Sequence, residues 1–326
     1  LFSFLSIPLF IYLTYQLFEN IPPAKRLFLS GLAGFWYSLL FGDIFLSNFQ
    51  WNPSTIPFFF MVFTALYNHQ MKALTDRRAL WSRQCLAWIG SGFTLAILMS
   101  LHASALFIMP VVYIIVSIRF AFKVLKKQSN RKYLMLPGLG ILAATLALCP
   151  FWGGGGAGGG ANGWANGWTG GVQKHVHNTH AIFTTILSTA TDDETTPFFI
   201  SLVEKLGISL LHALNTLRQA YFWNASASYA IISVAVITLI TTIAFSTFKG
   251  NSNIWLVCLS TWGLFLLAVT NFSPNDTNFY YKILFLIAPI VLTVVALAYV
   301  ELSGKSAIAY SIAITLFITL SGANTL

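Results

Sequence analysis

The sequence predicts an all-α polytopic membrane protein. Of its 326 residues, 56% are hydrophobic and only 8% are charged, whereas soluble globular domains carry about 25% charged residues. The mean hydropathy is +0.73. The apolar residues form runs long enough to cross a bilayer as helices, and they lack the period-two alternation of barrel strands. This composition excludes an ordinary soluble enzyme, a disordered chain and a coiled coil.

We expect about ten membrane-spanning helices, since each needs roughly 20 apolar residues. The third and fourth apolar runs are short for this purpose. The approximate bounds of the ten are 1–18, 27–47, 54–68, 85–100, 103–122, 133–152, 228–248, 253–270, 279–300 and 306–321. They group into an N-terminal bundle of six spans (1–152) and a C-terminal bundle of four spans (228–326), separated by an extracytoplasmic segment (153–227).

The basic residues predict the orientation, because short cytoplasmic loops of membrane proteins are enriched in Lys and Arg. Of the 18 basic residues, 14 fall on one side, which we assign to the cytoplasm. They are Lys25, Arg26, Lys72, Arg77, Arg78, Arg83, Arg119, Lys123, Lys126, Lys127, Arg131, Lys132, Lys249 and Lys305. The other side holds Lys174, Lys205, Arg218 and Lys282. We therefore interpret the net charge of +9 as a signal of orientation and not as a nucleic-acid-binding surface.

The predicted outer segment 153–227 has two parts. Residues 153–171 contain 11 glycines and are costly to order, which favours a flexible linker over a mobile lid. Further on, Thr196 is a suitable N-cap and Pro197 suits the first helical position. An apolar stripe follows at helical spacing, so we expect an amphipathic helix at the membrane interface.

Two side chains near the predicted outer ends of spans are candidates for chemistry. Asp43 is the only acid inside a predicted span, where an unpaired charge is costly. It is either a substrate-facing carboxylate or one that helix neighbours or interfacial water satisfy. His102 lies at an outer helix end, where it either carries a proton or contacts a substrate, or is simply an interfacial histidine.

A third candidate is the pair Tyr281-Lys282 at the outer start of the ninth span. A cation beside aromatic rings at that depth suits a lipid phosphate, and it also suits an interfacial anchor. The acidic residues 192–194 are able to bind a divalent ion, but a solvated turn before a helix is the favoured interpretation. We therefore assign no metal site, and a divalent-metal requirement stays open.

One stretch has a more specific pattern. An outer Trp51-Asn52-Pro53 leads into a span, a basic turn and a second span, which ends in the segment 101–110, Leu-His-Ala-Ser-Ala-Leu-Phe-Ile-Met-Pro. This order resembles the bacterial integral-membrane glycosyltransferases of the GT-C superfamily, relatives of the protein O-mannosyltransferases and of the lipid A aminoarabinose transferases. The segment 279–289, Phe-Tyr-Tyr-Lys-Ile-Leu-Phe-Leu-Ile-Ala-Pro, resembles their late outer turn. The resemblance is sharp over about 49–110.

The resemblance implies transfer of a sugar from a polyprenyl-phosphate carrier to an acceptor glycan, lipid or protein outside the plasma membrane of a bacterium. It implies that Trp51, Asn52 and His102 contact substrate in an outer cavity. It also implies that Lys282, beside Tyr281, meets the donor phosphate. The catalytic acid of such enzymes follows their first span. Because this chain opens at Leu1 within an apolar run, we expect that acid upstream, with Asp43 the one intramembrane carboxylate in this sequence.

Three other functions stay open from the residues alone. A transporter or lipid flippase favours charges near the bilayer midplane and repeated halves with broken helices, and we find only Asp43 and no matching halves. A polysaccharide polymerase or ligase also uses carrier lipids and a large outer loop. A structural subunit of a membrane complex is the third alternative.

Overall fold

The computed structural model describes residues 2–38, 55–74, 81–101, 103–126, 131–152 and 251–269. Within these ranges the chain is almost entirely helical and contains no β-strand. The helices are α1 (Phe2–Leu17), α2 (Pro23–Ser38), α3 (Ile56–Ala73), α4 (Trp81–Leu101), α5 (Ala103–Lys126), a 3₁₀ turn (Arg131–Met135), α6 (Leu136–Trp152) and α7 (Ser252–Val269). The predicted all-α class is confirmed for this part of the chain.

Three helices of the described part are long and apolar enough to cross a membrane: Trp81–Leu101, Ile108–Lys126 and Arg131–Leu148. These helices support the prediction of membrane-spanning helices, and the number of ten spans stays a prediction. The predicted spans 228–248, 279–300 and 306–321 and the amphipathic helix after Thr196 lie outside the described residues.

The third and fourth helices extend beyond the short apolar runs that predicted them. The run 54–68 becomes α3, which continues to Ala73, and the run 85–100 becomes α4, which begins at Trp81. The added turns contain buried glutamines: Gln70 and Gln84 are each 1% exposed. Gln70 donates from Nε2 to Ser91 Oγ at 2.8 Å, so its amide nitrogen is hydrogen-bonded to another helix, α4.

Several Ser and Thr hydroxyls in these apolar helices donate to a carbonyl of their own helix. Thr14 donates to Phe10 at 2.7 Å, Thr64 to Phe60 at 2.8 Å and Thr261 to Val257 at 2.7 Å. A hydroxyl that bonds the carbonyl four residues earlier needs no partner outside its helix. This arrangement suits a hydrocarbon environment, where water supplies no hydrogen bonds.

The chain divides into two compact units, of which the first comprises Leu1–Asn68 and Ser209–Leu326. There α1 packs on α2, with the rings of Phe10 and Tyr37 stacked 5.0 Å apart. The second unit comprises His69–Ile208, and its described core is α4, α5 and α6. The predicted boundaries at 152 and 227 adjoin or fall among residues outside the description, so that three-part division stays a prediction.

Close packing of α4 against α6 organises the second unit. A Cβ at Gly92 would collide with the carbonyl oxygen of Gly140, and a Cβ at Gly140 would collide with the Tyr113 hydroxyl of α5. Small residues allow helix backbones to approach in this way within membranes. The Trp88 ring also packs edge-on against Tyr113, with centroids 5.9 Å apart. The three helices thus meet around Tyr113.

Candidate functional site

An apolar groove lies between α4, α5 and α6 in the second unit. Its volume is about 260 Å³. It is lined by Leu95, Met99, Pro110, Tyr113, Ile114, Ile141, Ala144, Thr145 and Leu148. None of these side chains is charged. Ile114 is 54% exposed and Ile141 is 52% exposed, so the groove is open along the side on which these two residues lie.

The two hydroxyl groups that line the groove donate their protons inside the protein. Tyr113 donates from its hydroxyl to the Pro137 carbonyl at 2.8 Å. Thr145 donates from Oγ1 to the Ile141 carbonyl at 3.0 Å. Neither hydroxyl proton is left for a ligand in the groove. The groove therefore offers a ligand an apolar surface, which suits a hydrocarbon chain and not a sugar.

The local sequence explains why a groove forms beside a tight contact. Gly92 and Gly140 bring α4 and α6 together, and the groove begins within about a turn of that contact, at Leu95 and Ile141. Pro110 contributes a ring to the lining and removes the N–H that would have bonded the carbonyl four residues earlier. Ala144, 6% exposed, leaves space where a larger residue would fill the groove.

The groove is suited in length to a segment of a lipid tail. From Ile141 to Leu148 it follows α6 for about 10 Å, at about 1.5 Å per residue. The residues that line it on α4 and α5, from Leu95 to Met99 and from Pro110 to Ile114, approach the junction of these two helices. The groove is formed by the helices that, in the described part, are long and apolar enough to cross a membrane.

A separate polar cluster in the first unit is built around Asn251. Its N–H donates to the Leu17 carbonyl at 2.9 Å. Its Nδ2 donates to Asn68 Oδ1 at 3.0 Å and to Glu19 Oε2 at 3.2 Å. Its Oδ1 accepts from the Asn253 N–H at 3.0 Å and so caps α7. Every polar group of this side chain is bonded, so we interpret the cluster as a structural tie that joins the end of α1, the start of α7 and α3.

The first unit also contains a small cavity. It lies among α1, α3 and α7 and includes Thr14, Thr64 and Cys258 in its lining. Its volume is about 10 Å³, which is about the space of one water molecule. The hydroxyls of Thr14 and Thr64 donate within their own helices. This cavity is too small to hold a substrate.

The predicted site residues all lie outside the described residues. They are Asp43, Trp51, Asn52, His102, Tyr281 and Lys282. His102 falls in the one-residue gap between α4 and α5. Within the ranges that the structure describes, no three metal-ligating side chains lie together. The roles assigned to these residues therefore stay predictions.

The residues that form the groove were not singled out from the sequence. Tyr113, Ala144 and Thr145 resemble any other residue of an apolar helix. One signal was present: small residues recur in Gly90-Ser91-Gly92 of α4 and in Gly138-Leu139-Gly140 of α6, a pattern that favours close helix packing. That pattern predicts a contact but not the cavity beside it, which depends on how three helices pack.

Comparison with known proteins gives no match to a family model, to a curated protein or to a solved structure. The GT-C resemblance therefore rests on the residues quoted for it.

Proposed function

We propose that this chain is a membrane glycosyltransferase that moves a sugar from a polyprenyl-phosphate carrier to an acceptor outside the cytoplasmic membrane. The observation that carries the proposal is the apolar groove between α4, α5 and α6. A polyprenyl carrier is a long hydrocarbon with a phosphate at one end. A protein that uses it needs a surface for the tail that opens to lipid, and the groove has that character.

The place of the groove along the chain also supports the proposal. Met99 lies two residues before the segment 101–110 that carries the GT-C resemblance, and Pro110 ends that segment. A tail held in the groove would thus lie beside the residues expected to face the substrate.

The proposed reaction joins an acceptor hydroxyl oxygen to the anomeric carbon of the sugar. The bond from that carbon to the phosphate oxygen breaks, and the carrier phosphate leaves with the bonding electrons. A carboxylate takes the hydroxyl proton. A positive charge stabilises the departing phosphate. Lys282 is assigned to the phosphate, and Trp51, Asn52, His102 and Tyr281 to substrate binding.

The resemblance assigns the base to a carboxylate that follows the first span of such enzymes, and Asp43 is the candidate within this sequence. A carboxylate in that role must be reachable by the acceptor hydroxyl. Asp43→Asn separates the two assignments. If Asp43 is the base, this isosteric change abolishes transfer, and if another carboxylate is the base, transfer continues.

The experiment measures sugar transfer by the full-length protein in proteoliposomes, with two donors that carry the same sugar. One donor has a full polyprenyl tail and the other a short, water-soluble prenyl tail. Ala144→Phe, which fills the groove, should raise KM for the long-tail donor and leave the short-tail donor unaffected. Leu146→Phe is the matched control, because Leu146 is 61% exposed on the same helix and does not line the groove.

Three results would count against the proposal. Failure of wild-type protein to use any polyprenyl-phosphate sugar would favour a transporter, a flippase or a structural subunit. Use of pyrophosphate-linked glycans alone would favour a polymerase or ligase. Equal effects of Ala144→Phe and Leu146→Phe on KM for the long-tail donor would show that the groove does not bind the donor tail. Repeating the assay with EDTA tests the metal requirement.

A further inference from the structure

The end of the second unit at which α4 begins and α5 ends is strongly cationic. The described residues of this unit include seven Lys or Arg and no Asp or Glu. The seven, which we call the cationic rim, are Lys72, Arg83, Arg119, Lys123, Lys126, Arg131 and Lys132. Orientation of the chain requires basic residues in these loops. It does not require that the cations converge on one packed end.

Contacts among the helix ends bring the rim together. The ring of Trp81, the first residue of α4, lies 5.4 Å from the Tyr133 ring in the 3₁₀ turn that leads into α6. Lys132 Nζ lies over the Trp81 ring, 5.0 Å from its centroid. At the end of α5, Lys123 Nζ donates to the Met71 carbonyl at 3.0 Å. The 3₁₀ turn also packs against α5, so the start of α4, the end of α5 and the 3₁₀ turn lie at one end of the unit.

Exposed apolar side chains adjoin the rim along the helices. Leu86 lies one turn after Arg83 on α4 and is 68% exposed. Phe122 lies one turn before Lys126 on α5 and is also 68% exposed. Met135, at the end of the 3₁₀ turn, is 74% exposed. An amphiphile would thus meet cations at its head and apolar side chains along its tails.

We propose that the cationic rim binds the headgroup of an anionic glycerophospholipid, with its acyl chains along the exposed apolar residues of α4 and α5. Charge complementarity identifies this occupant, because cations gathered at one end of the unit favour a phosphate that carries a net negative charge. Basic residues beside membrane helices attract anionic lipids in this way. Trp81 and Tyr133 are amphipathic rings of the kind that occupy the headgroup level. The site lies at the opposite end of α4 from the groove and does not depend on sugar transfer.

The experiment measures the relative association of spin-labelled phosphatidylglycerol and phosphatidylcholine with the full chain in phosphatidylcholine nanodiscs. Wild-type protein should prefer phosphatidylglycerol by about tenfold, because each cation near the headgroups contributes about fivefold and not all of them meet one lipid. Added salt should reduce this preference, since screening weakens exposed charge pairs. Binding of phosphatidylcholine should not change with salt.

Three variants locate the site. Lys126→Gln/Arg131→Gln/Lys132→Gln should bring the preference close to one. Lys126→Arg/Arg131→Lys/Lys132→Arg keeps the charge and should keep the preference. The matched control removes three cations assigned by sequence to the same membrane side, but from the first unit: Lys25→Gln/Lys249→Gln/Lys305→Gln. That control should retain most of the preference.

Several results would overturn the proposal. A wild-type protein that binds both lipids equally at low salt excludes the site, whatever the variants do. If both glutamine triples lose the preference for phosphatidylglycerol equally, the preference comes from the net charge of the protein and not from the cationic rim. Displacement of spin-labelled phosphatidylglycerol by millimolar inorganic phosphate would indicate a site for soluble anions instead of lipid. Labelling of introduced cysteines from each side shows whether the first triple variant inverts in the membrane. If it does, the wild-type protein tests the proposal, and a preference for phosphatidylglycerol that added salt does not reduce would overturn it.

Discussion

Replacing Gly140 by alanine tests the helix packing that builds the apolar groove. A Cβ at this position would collide with the Tyr113 hydroxyl and would lie 2.9 Å from the Trp88 carbonyl oxygen. The Tyr113 hydroxyl is held by its bond to the Pro137 carbonyl. It can move away only if that bond is lost and a buried hydroxyl is left without a partner.

The expected magnitude follows from three contributions. Alanine gains up to about 1 kcal/mol over glycine in a helix interior. Leaving the Tyr113 hydroxyl buried and unbonded costs about 1–3 kcal/mol. Overpacking of a well-filled contact costs about 1–3 kcal/mol more. We therefore expect Gly140→Ala to lower the free energy of unfolding by about 3 kcal/mol, measured by SDS-induced unfolding in mixed micelles.

Gly138→Ala is the matched control two residues away on the same helix. A Cβ at Gly138 meets no atom within 4 Å, so this variant should be stabilised by about 0.5–1 kcal/mol. Tyr113→Phe removes the hydroxyl with which the new Cβ collides. The double variant Tyr113→Phe/Gly140→Ala should therefore be more stable than Gly140→Ala alone. Similar unfolding free energies for Gly140→Ala and Gly138→Ala would refute the packing that we describe.

Three further predictions concern single side chains, and the same unfolding assay checks each of them. Asn251→Ala removes a helix cap and two side-chain bonds and should destabilise the protein by about 2–4 kcal/mol; a loss below about 1 kcal/mol would show that the cluster is not a structural tie. Gly34→Ala would press on the Ile11 side chain, whereas Gly31→Ala meets open space, so Gly34→Ala should be the less stable of the pair. Thr145→Val should change stability by less than about 1 kcal/mol and leave KM for the long-tail donor unchanged, because that hydroxyl is satisfied within its own helix; a raised KM would mean that the hydroxyl contacts the donor.

The helices of the described part could be predicted where the sequence is uniformly apolar. The run 1–18 corresponds to α1 and the run 253–270 to α7, each within about two residues. The prediction was too short where polar residues are buried between helices. Gln70 and Gln84 lower the hydropathy of their segments, yet both lie in the core. Hydropathy measures the free energy of moving a single side chain out of water. It does not include a hydrogen bond to a partner on another helix, such as the one from Gln70 to Ser91.

The groove could not be predicted, because it is a property of three helices packed together. Its lining residues alternate with exposed residues such as Leu142 and Leu146, which have the same chemical character. The side of α6 that faces α4 is the side of Gly140 and Ala143, which lie against Gly92. By contrast, the sequence does single out Lys282 and His102 by their chemistry, and their roles stay predictions because both lie outside the described residues.

The central claim is that the groove between α4, α5 and α6 holds the hydrocarbon tail of a polyprenyl-phosphate carrier. The most direct test is photolabelling with a polyprenyl phosphate that carries a diazirine in its tail, followed by mass spectrometry of the labelled peptides. We expect labels at groove residues such as Met99, Ile114 and Leu148. Unlabelled polyprenyl phosphate should compete for these sites, and Ala144→Phe should suppress them. Labelling that is not saturable, or that falls on lipid-facing residues such as Leu146 as strongly as on the groove, would contradict the claim.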